Sequence, residues 1–411
     1  MHYNHSCSWR PHCPASSMVF VDDERTTAHV SNTDSTIRTH QPDQFDKQMN
    51  FKLRHYQNKM TRCFQLLRPG ALTLIMMIAT RLSATPDTGV MVVPNEASNR
   101  VDVFVDGRPF TSYIWPDTLK KPVLFPLRTA DGTIITRGWP MEPRPGERTD
   151  HPHHVGFWFN YENVNGVDFW NDSTALPAAQ QAKMGRIAHR RIVKTSSGAD
   201  QGELEVEMDW LMPGDQPILH ETADFIFRTA PGIRIVDRIS TLTALDKPVV
   251  FKDSKDGLIG LRVRRELEQP ETDAVTYTDA SGRPTTVKAM DTNGVTGLYR
   301  SSEGRTGDAV WGTRGRWTTL TGKVNQEDIT LVMLDHPLNA GFPTYWHARG
   351  YGLFAANPLG QAIFSNGKEK LNFTIQPKQS ATFRYRLVIL DGKATPDQSE
   401  AFYQQFVKEV K

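Results

Sequence analysis

The segment Glu203 to Trp210 reads Glu-Leu-Glu-Val-Glu-Met-Asp-Trp. Polar and apolar residues alternate strictly, and that period of two fits an extended strand with one buried face. The pattern recurs along the chain. Asn99 to Val105 alternates and then meets Asp106-Gly107, a tight-turn pair. Ala223 to Arg228, Pro231-Gly232 and Ile233 to Ser240 read as two strands joined by a turn. Phe373 to Gln376 and Thr382 to Leu390 follow in the same style, and Asp391-Gly392 ends the last strand. Helical patterns are few: a short one within Gln180–Arg190 and a C-terminal one over Pro396–Lys411. Long βα alternation is missing, which argues against a parallel sheet covered by helices. The expected fold is therefore all-β, a large antiparallel two-sheet sandwich (supersandwich-like) with few short helices. No repeat of fixed period and no Pro/Ser linker divides it, so residues 85–411 are expected to form a single domain.

Residues 60–84 have a different character. Arg62 and Arg68 precede an apolar run from Ala71 to Ala79, and Leu82-Ser83-Ala84 supplies small residues for cleavage. That is the layout of a secretory signal peptide. The run is too short to span a bilayer, which takes roughly 20 residues. Residues 1–59 are polar and without periodicity. They are expected to be a disordered, non-native extension, with Met60 as the true start. The expected location is the periplasm or the cell exterior.

Without residues 1–84 the chain carries 38 Lys+Arg against 40 Asp+Glu, a net charge of −2. A near-neutral domain offers no broad footprint for nucleic acid, and no basic amphipathic segment suggests membrane contact. All three cysteines, Cys7, Cys13 and Cys63, lie before residue 85. A cysteine nucleophile or Cys-ligated zinc is thereby excluded from the remaining domain.

The densest chemical feature is Asp150-His151-Pro152-His153-His154-Val155-Gly156-Phe157-Trp158-Phe159, with three of the domain's seven histidines. On a strand, His151 and His153 would share one side and His154 the other. Pro152 restricts His151 to extended geometry. Clustered imidazoles can hold a divalent metal or exchange protons near neutral pH. Trp139-Pro140 lies upstream, and Val167-Asp168-Phe169-Trp170-Asn171-Asp172 lies downstream. Aromatic rings beside Asp, Asn, Arg and His suit a sugar, whose apolar face stacks on rings while polar groups hold its hydroxyls. A second region runs from Asp335-His336-Pro337 to Phe342-Pro343-Thr344-Tyr345-Trp346-His347-Ala348-Arg349 and on through Asn357 to Gly360. On a strand, Tyr345, His347 and Arg349 share one face and Trp346 turns to the core. A third, Phe251 to Gly260, sets Lys252 and Asp256 beside an apolar strand.

The strings Asp150–Phe159, Val164–Trp170, Asp335–Pro337 and Pro343–Gly360 resemble the family labelled "methane oxygenase PmoA", over nearly all of the chain after residue 84. The resemblance implies an exported bacterial protein in a carbohydrate context. Methane oxidation itself is not carried over, because that chemistry belongs to a protein of several membrane-spanning helices. The present sequence after residue 84 has no apolar run long enough to span.

The leading expectation is an enzyme acting on a carbohydrate, of epimerase, lyase or hydrolase type. His151, His153, His347 and Asp168 are its candidate catalytic residues. Asp150, His154, Trp158, Trp170, Lys252, Tyr345, Trp346, Arg349 and Asn357 are its candidate substrate-binding residues. Two alternatives stand beside it. One is an extracellular carbohydrate-binding protein without turnover. The other is a metal-dependent oxygenase, as the family's name suggests, with a divalent metal on His151, His153, and His336 or His347. No Gly-x-Ser-x-Gly elbow or Gly-rich phosphate loop supports other hydrolase or nucleotide chemistry.

Overall fold

The alternating segments become strands of two large sheets. A computed structural model describes residues 88–270, 275–278, 284–287 and 291–411. The expected signal peptide at 60–84 and the extension at 1–59 lie outside the described residues. The described residues belong to one compact unit, residues 84–411.

In chain order, the first strands are β1 Val90–Asn95, β2 Arg100–Val105, β3 Arg108–Ile114, β4 Val123–Leu124 and β5 Phe157–Tyr161. A short helix α1, Ala178–Gln181, leads to four long strands: β6 Arg186–Ser196, β7 Gln201–Met212, β8 Gln216–Ala230 and β9 Ile233–Ala244. Next come β10 Val249–Phe251, β11 Gly257–Arg262, β12 Val275–Thr278, β13 Pro284–Val287 and β14 Leu298–Ser301. Then follow β15 Trp317–Val324, β16 Glu327–Asp335, β17 Tyr345–Arg349 and β18 Leu353–Asn357. Helix α2, Gln361–Phe364, strands β19 Phe373–Ile375 and β20 Ser380–Asp391, and helix α3, Pro396–Glu409, complete the chain.

Sheet one has the order β1-β2-β3-β4-β5-β11-β18-β17, and sheet two the order β14-β15-β16-β20-β9-β8-β7-β6. Both are antiparallel, as expected. Alternation decides which residues face the space between them. Phe157, Phe159 and Tyr161 of β5 meet Leu204, Val206, Met208 and Trp210 of β7 in one core. Each large apolar side chain buried there contributes about 1.5–3 kcal/mol. The Asp106-Gly107 turn forms as expected, with φ of 51° and 72°, values that favour such residues.

Helix α3 also forms where expected. Thr395 and Gln398 make a reciprocal capping box at its start, and Pro396 occupies the first turn. Its Tyr403 and Phe406 cover Ile235, Val332, Leu334 and Val388 on the outer face of sheet two. The helix expected within Gln180–Arg190 is corrected. The helical turn ends at Gln181, and Arg186 onward is strand β6. Pairing with β7 along the sheet edge overrides a short, weak helical preference.

Candidate functional site

The outer face of sheet one gathers the residues of interest. Alternation sends Trp158 and Asn160 of β5, Gly260 and Arg262 of β11, Ala355 and Asn357 of β18, and His347 of β17 to this side. A Cβ at Gly260 would lie 2.6 Å from the Trp158 ring, so glycine there lets the indole rest on the sheet.

The histidine cluster does not continue this strand. His154 N–H donates to the His151 carbonyl at 2.9 Å, closing a turn with Pro152 at its second position. His151 has φ 46°, so the expected extended geometry and the expected split of the three rings are both corrected. Arg137 explains how the loop is held. It is 1% exposed, and its guanidinium donates to the carbonyls of Asp150 (2.7 Å), His151 (2.9 Å) and His154 (3.0 Å). Five fixed donors on one buried group can satisfy several loop carbonyls at once.

The turn stacks the rings. Tyr351, His151, His154 and Trp158 form a column with centroid spacings of 5.0, 4.8 and 5.1 Å and interplanar angles of 5°, 5° and 19°. His153 stands edge-on to His154 at 4.3 Å. Arg262 binds the Asp150 carboxylate at 2.7 Å and approaches His154 Nδ1 at 3.2 Å. A guanidinium only donates, so His154 Nδ1 accepts and its proton sits on Nε2. Burial would raise the Asp150 carboxyl, but Arg262, the bond to His151 and Arg137 hold it well below the usual carboxylate range. Burial pushes His153 and His154 well below the ordinary imidazole value, and the surrounding cations push further. Both rings are therefore uncharged at neutral pH.

Beside His153 lies a cavity of about 450 Å³. Leu119, Val123, Trp139, Met141 and Val155 form apolar wall, and Lys121, His153, Asp172 and Ser173 form polar wall. Lys121 is 5% exposed and donates from Nζ to the His153 carbonyl at 2.8 Å. Burial lowers its pKa to about 7, against the pull of Asp172 and Asp168. Among the described residues, His153 Nε2, Asp172 Oδ1 and Ser173 Oγ are buried and have no hydrogen-bond partner. Buried polar atoms are normally paired, so this concentration suits a polar ligand.

A second pair shares the face. His347 Nδ1 lies 3.5 Å from Asp256 Oδ1. Burial, then Arg349 and Lys255, lower His347 to about 3. Burial raises Asp256 to about 6, opposed by Lys255 and assisted by Glu162 and Asp168. At neutral pH the imidazole is uncharged, so the pair is a carboxylate beside a neutral ring.

The remaining expected residues separate. Tyr345, His347 and Arg349 share a face while Trp346 turns inward, as the alternation implied. Trp346 is thus core, and its expected stacking on substrate is corrected. Trp158 and Trp170 are likewise 0% and 1% exposed, packed beneath the histidines, so neither offers a free ring. Tyr345 stacks on Phe364 at 5.2 Å, and Arg349 lies over Trp311 at 4.2 Å. Asp168 accepts from the backbone of Trp170 and Asn171 and from the Asn171 amide, so it fastens its own loop. Asn357 donates to the carbonyls of Ser254 and Lys255 and is buried, which makes it a loop anchor rather than a ligand group. Lys252 is exposed beside Asn163, Asn165 and Asn372, away from the histidines.

His336 belongs to the other sheet. It meets Phe406 of α3 at 5.1 Å, so it cannot join His151 and His153 on a metal. Among the described residues, no group of three His, Asp or Glu side chains is arranged to hold a metal ion. The chemistry agrees. His151 Nδ1 is engaged by Asp150, His154 Nδ1 faces a guanidinium, and Arg137 and Arg262 set positive charge against the cluster. The residues present do not fit the expected three-nitrogen metal site.

Lys121, Arg137 and Ser173 were missed by sequence reasoning. Trp139 and Asp172 stand in the strings that flank the histidine cluster, but nothing in the sequence singles them out as site residues.

Among solved structures, the chain is similar to a galactose 1-epimerase from Lactobacillus acidophilus NCFM, at 10% identity, TM-score 0.34, over 74% of this chain and 100% of that one. It is similar to a putative aldose 1-epimerase from Escherichia coli K12 at 10% identity, TM-score 0.32, over 74% and 99%. The GH36 α-galactosidase AgaA from Geobacillus stearothermophilus matches at 10% identity, TM-score 0.34, over 74% of this chain and 41% of the larger enzyme. Likeness of this degree carries no inference about activity. No curated protein matches the sequence significantly. The match that does assign the chain covers residues 100–404, nearly the whole sandwich: the protein belongs to the family of unknown function DUF6807.

Proposed function

We propose that the protein is an exported carbohydrate-active enzyme, of epimerase, lyase or hydrolase type, that moves protons on a sugar held beside His153. The observation that carries this reading is the cavity itself. Its apolar wall with Trp139 suits the flat C–H face of a pyranose, and its unpartnered His153 Nε2, Asp172 Oδ1 and Ser173 Oγ suit hydroxyls. An uncharged His153 can accept a proton at neutral pH, which is the first requirement of a general base. Asp172, raised by burial against the pull of Lys120 and Lys121, is placed to exchange one.

The resemblance of Asp150–Phe159 and Pro343–Gly360 to PmoA-labelled proteins is part of the same proposal. Those strings supply the histidine cluster and the strand carrying His347. Export rests on the signal layout at 60–84 and is tested by N-terminal sequencing of the protein recovered outside the cytoplasm.

The functional test is a panel of mono- and disaccharides assayed for binding and for product with wild type and His153→Ala. The proposal expects binding by wild type and loss of product in the variant. Product formation that persists in His153→Ala would remove the catalytic role. Binding without any product from wild type would make the protein a carbohydrate-binding module instead.

A further inference from the structure

Lys121 is not explained by proton transfer at His153. Its ammonium form would need three acceptors, and the structure offers one bond, to the His153 carbonyl. Among the described residues no carboxylate pairs with its Nζ at ion-pair distance, and Asp172 and Asp168 pull on it only from farther off. The ring of Trp158 lies 5.5 Å away. A buried cation with so few partners is costly, so the environment favours the neutral amine. A neutral amine that donates one N–H to a carbonyl keeps its lone pair free. That is the state of an amine that attacks carbon.

Resting on the carbohydrate reading, we propose that Lys121 forms an imine with the free carbonyl of a sugar bound in the cavity, so that the substrates are open-chain aldoses, ketoses or keto-sugars. The Lys121 nitrogen adds to the carbonyl carbon, forming C–N, while the C=O π pair moves to oxygen. A proton passes from nitrogen to that oxygen, giving a carbinolamine. Asp172 or His153, once protonated, delivers a proton to the hydroxyl. Water leaves, and the nitrogen lone pair closes the C=N bond of a protonated imine. The balance is one carbonyl, one amine and one proton giving one iminium and one water. The iminium withdraws electrons from the neighbouring C–H, and His153 is the base on hand for that proton.

The test is trapping. The full chain after residue 84 is incubated at pH 7 with glycolaldehyde, and separately with dihydroxyacetone, in the presence of cyanoborohydride, and the modified lysines are mapped by peptide mass spectrometry. In parallel the same protein is titrated with reducing monosaccharides and with methyl glycosides, which cannot open to a carbonyl. Lys121 is expected to label at least about tenfold faster than any exposed lysine, because far more of it is unprotonated at pH 7. Reducing sugars are expected to be trapped there, whereas methyl glycosides bind without adduct. Labelling confined to exposed lysines, with saccharides still binding, would overturn the imine and leave the carbohydrate reading standing. Labelling of Lys121 without saccharide binding would do the reverse. Absence of both would overturn both. Wild type alone decides these outcomes, so they do not depend on a variant that folds.

Discussion

The outer faces of the two sheets are built from similar residue types and treat their charges in opposite ways. On sheet two, Arg191 meets Glu207 and Lys194 meets Glu203, both in solvent. Where α3 covers that face, Asp237 is buried but accepts from Arg386 Nη2 at 2.9 Å and also pairs with Arg228. On sheet one, Lys121, His153, His347 and Asp256 are buried or nearly so with few or loose partners. Their proton affinities are displaced as a result. Sheet two pairs its charges with one another in solvent or uses them to fasten a helix. Sheet one holds groups in states they would not adopt in water, and such groups concentrate at functional sites.

This contrast can be broken at several points. The largest effect is expected on sheet one. His153→Ala should lower kcat/KM for the proposed sugar reaction by about 10²–10⁴, with the folded fraction at assay temperature unchanged by circular dichroism. On sheet two, Asp237→Ala removes the buried carboxylate from Arg386 and Arg228, leaving Arg386 only the partly exposed Glu409, and should cost about 3–5 kcal/mol in urea unfolding. Saccharide affinity of the folded variant should stay at the wild-type value. If Asp237→Ala abolished binding while folded, the division between the faces would fail.

Lys121 gives a subtler readout. The unfolded chain keeps its lysine proton to about pH 10.4, whereas the folded protein releases it near 7. The folded state therefore binds fewer protons between those values. Stability from this group rises with pH across that window, by up to about 1.4 kcal/mol per pH unit, and is lost as pH falls toward 7. Lys121→Met should flatten that slope in unfolding curves measured from pH 7 to 10; an unchanged slope would mean that Lys121 is charged in the fold. The smallest effect is expected from Arg191→Ala, whose exposed pair with Glu207 should leave the unfolding midpoint unmoved within error.

Much of the sandwich was legible because strand alternation is local. Glu203 to Trp210 states which residues face inward, and β7 obeys it. The same rule sorted Trp346 from His347. It failed at His151 to His154, where the shape is set from outside the segment by Arg137 and Arg262. Arg262 lies 108 residues from His154 in sequence. The aromatic residues misled for a related reason. Trp158 and Trp170 look like a sugar platform as a string, but His154 of the same string covers them together with Leu119, Met141 and Tyr351 from other segments, and that burial is not written in the segment's own sequence. Lys121 carried no local signal at all. Its state depends on a carbonyl 32 residues away and on walls from three other segments.

The most direct measurement of the central claim is amide hydrogen exchange with and without a bound saccharide. Binding at the proposed site should protect residues 118–123, 139–141, 152–155 and 172–175, the segments that wall the cavity, and leave β6 to β9 unchanged. Protection centred on the outer face of sheet two, with the cavity segments exchanging as before, would contradict it.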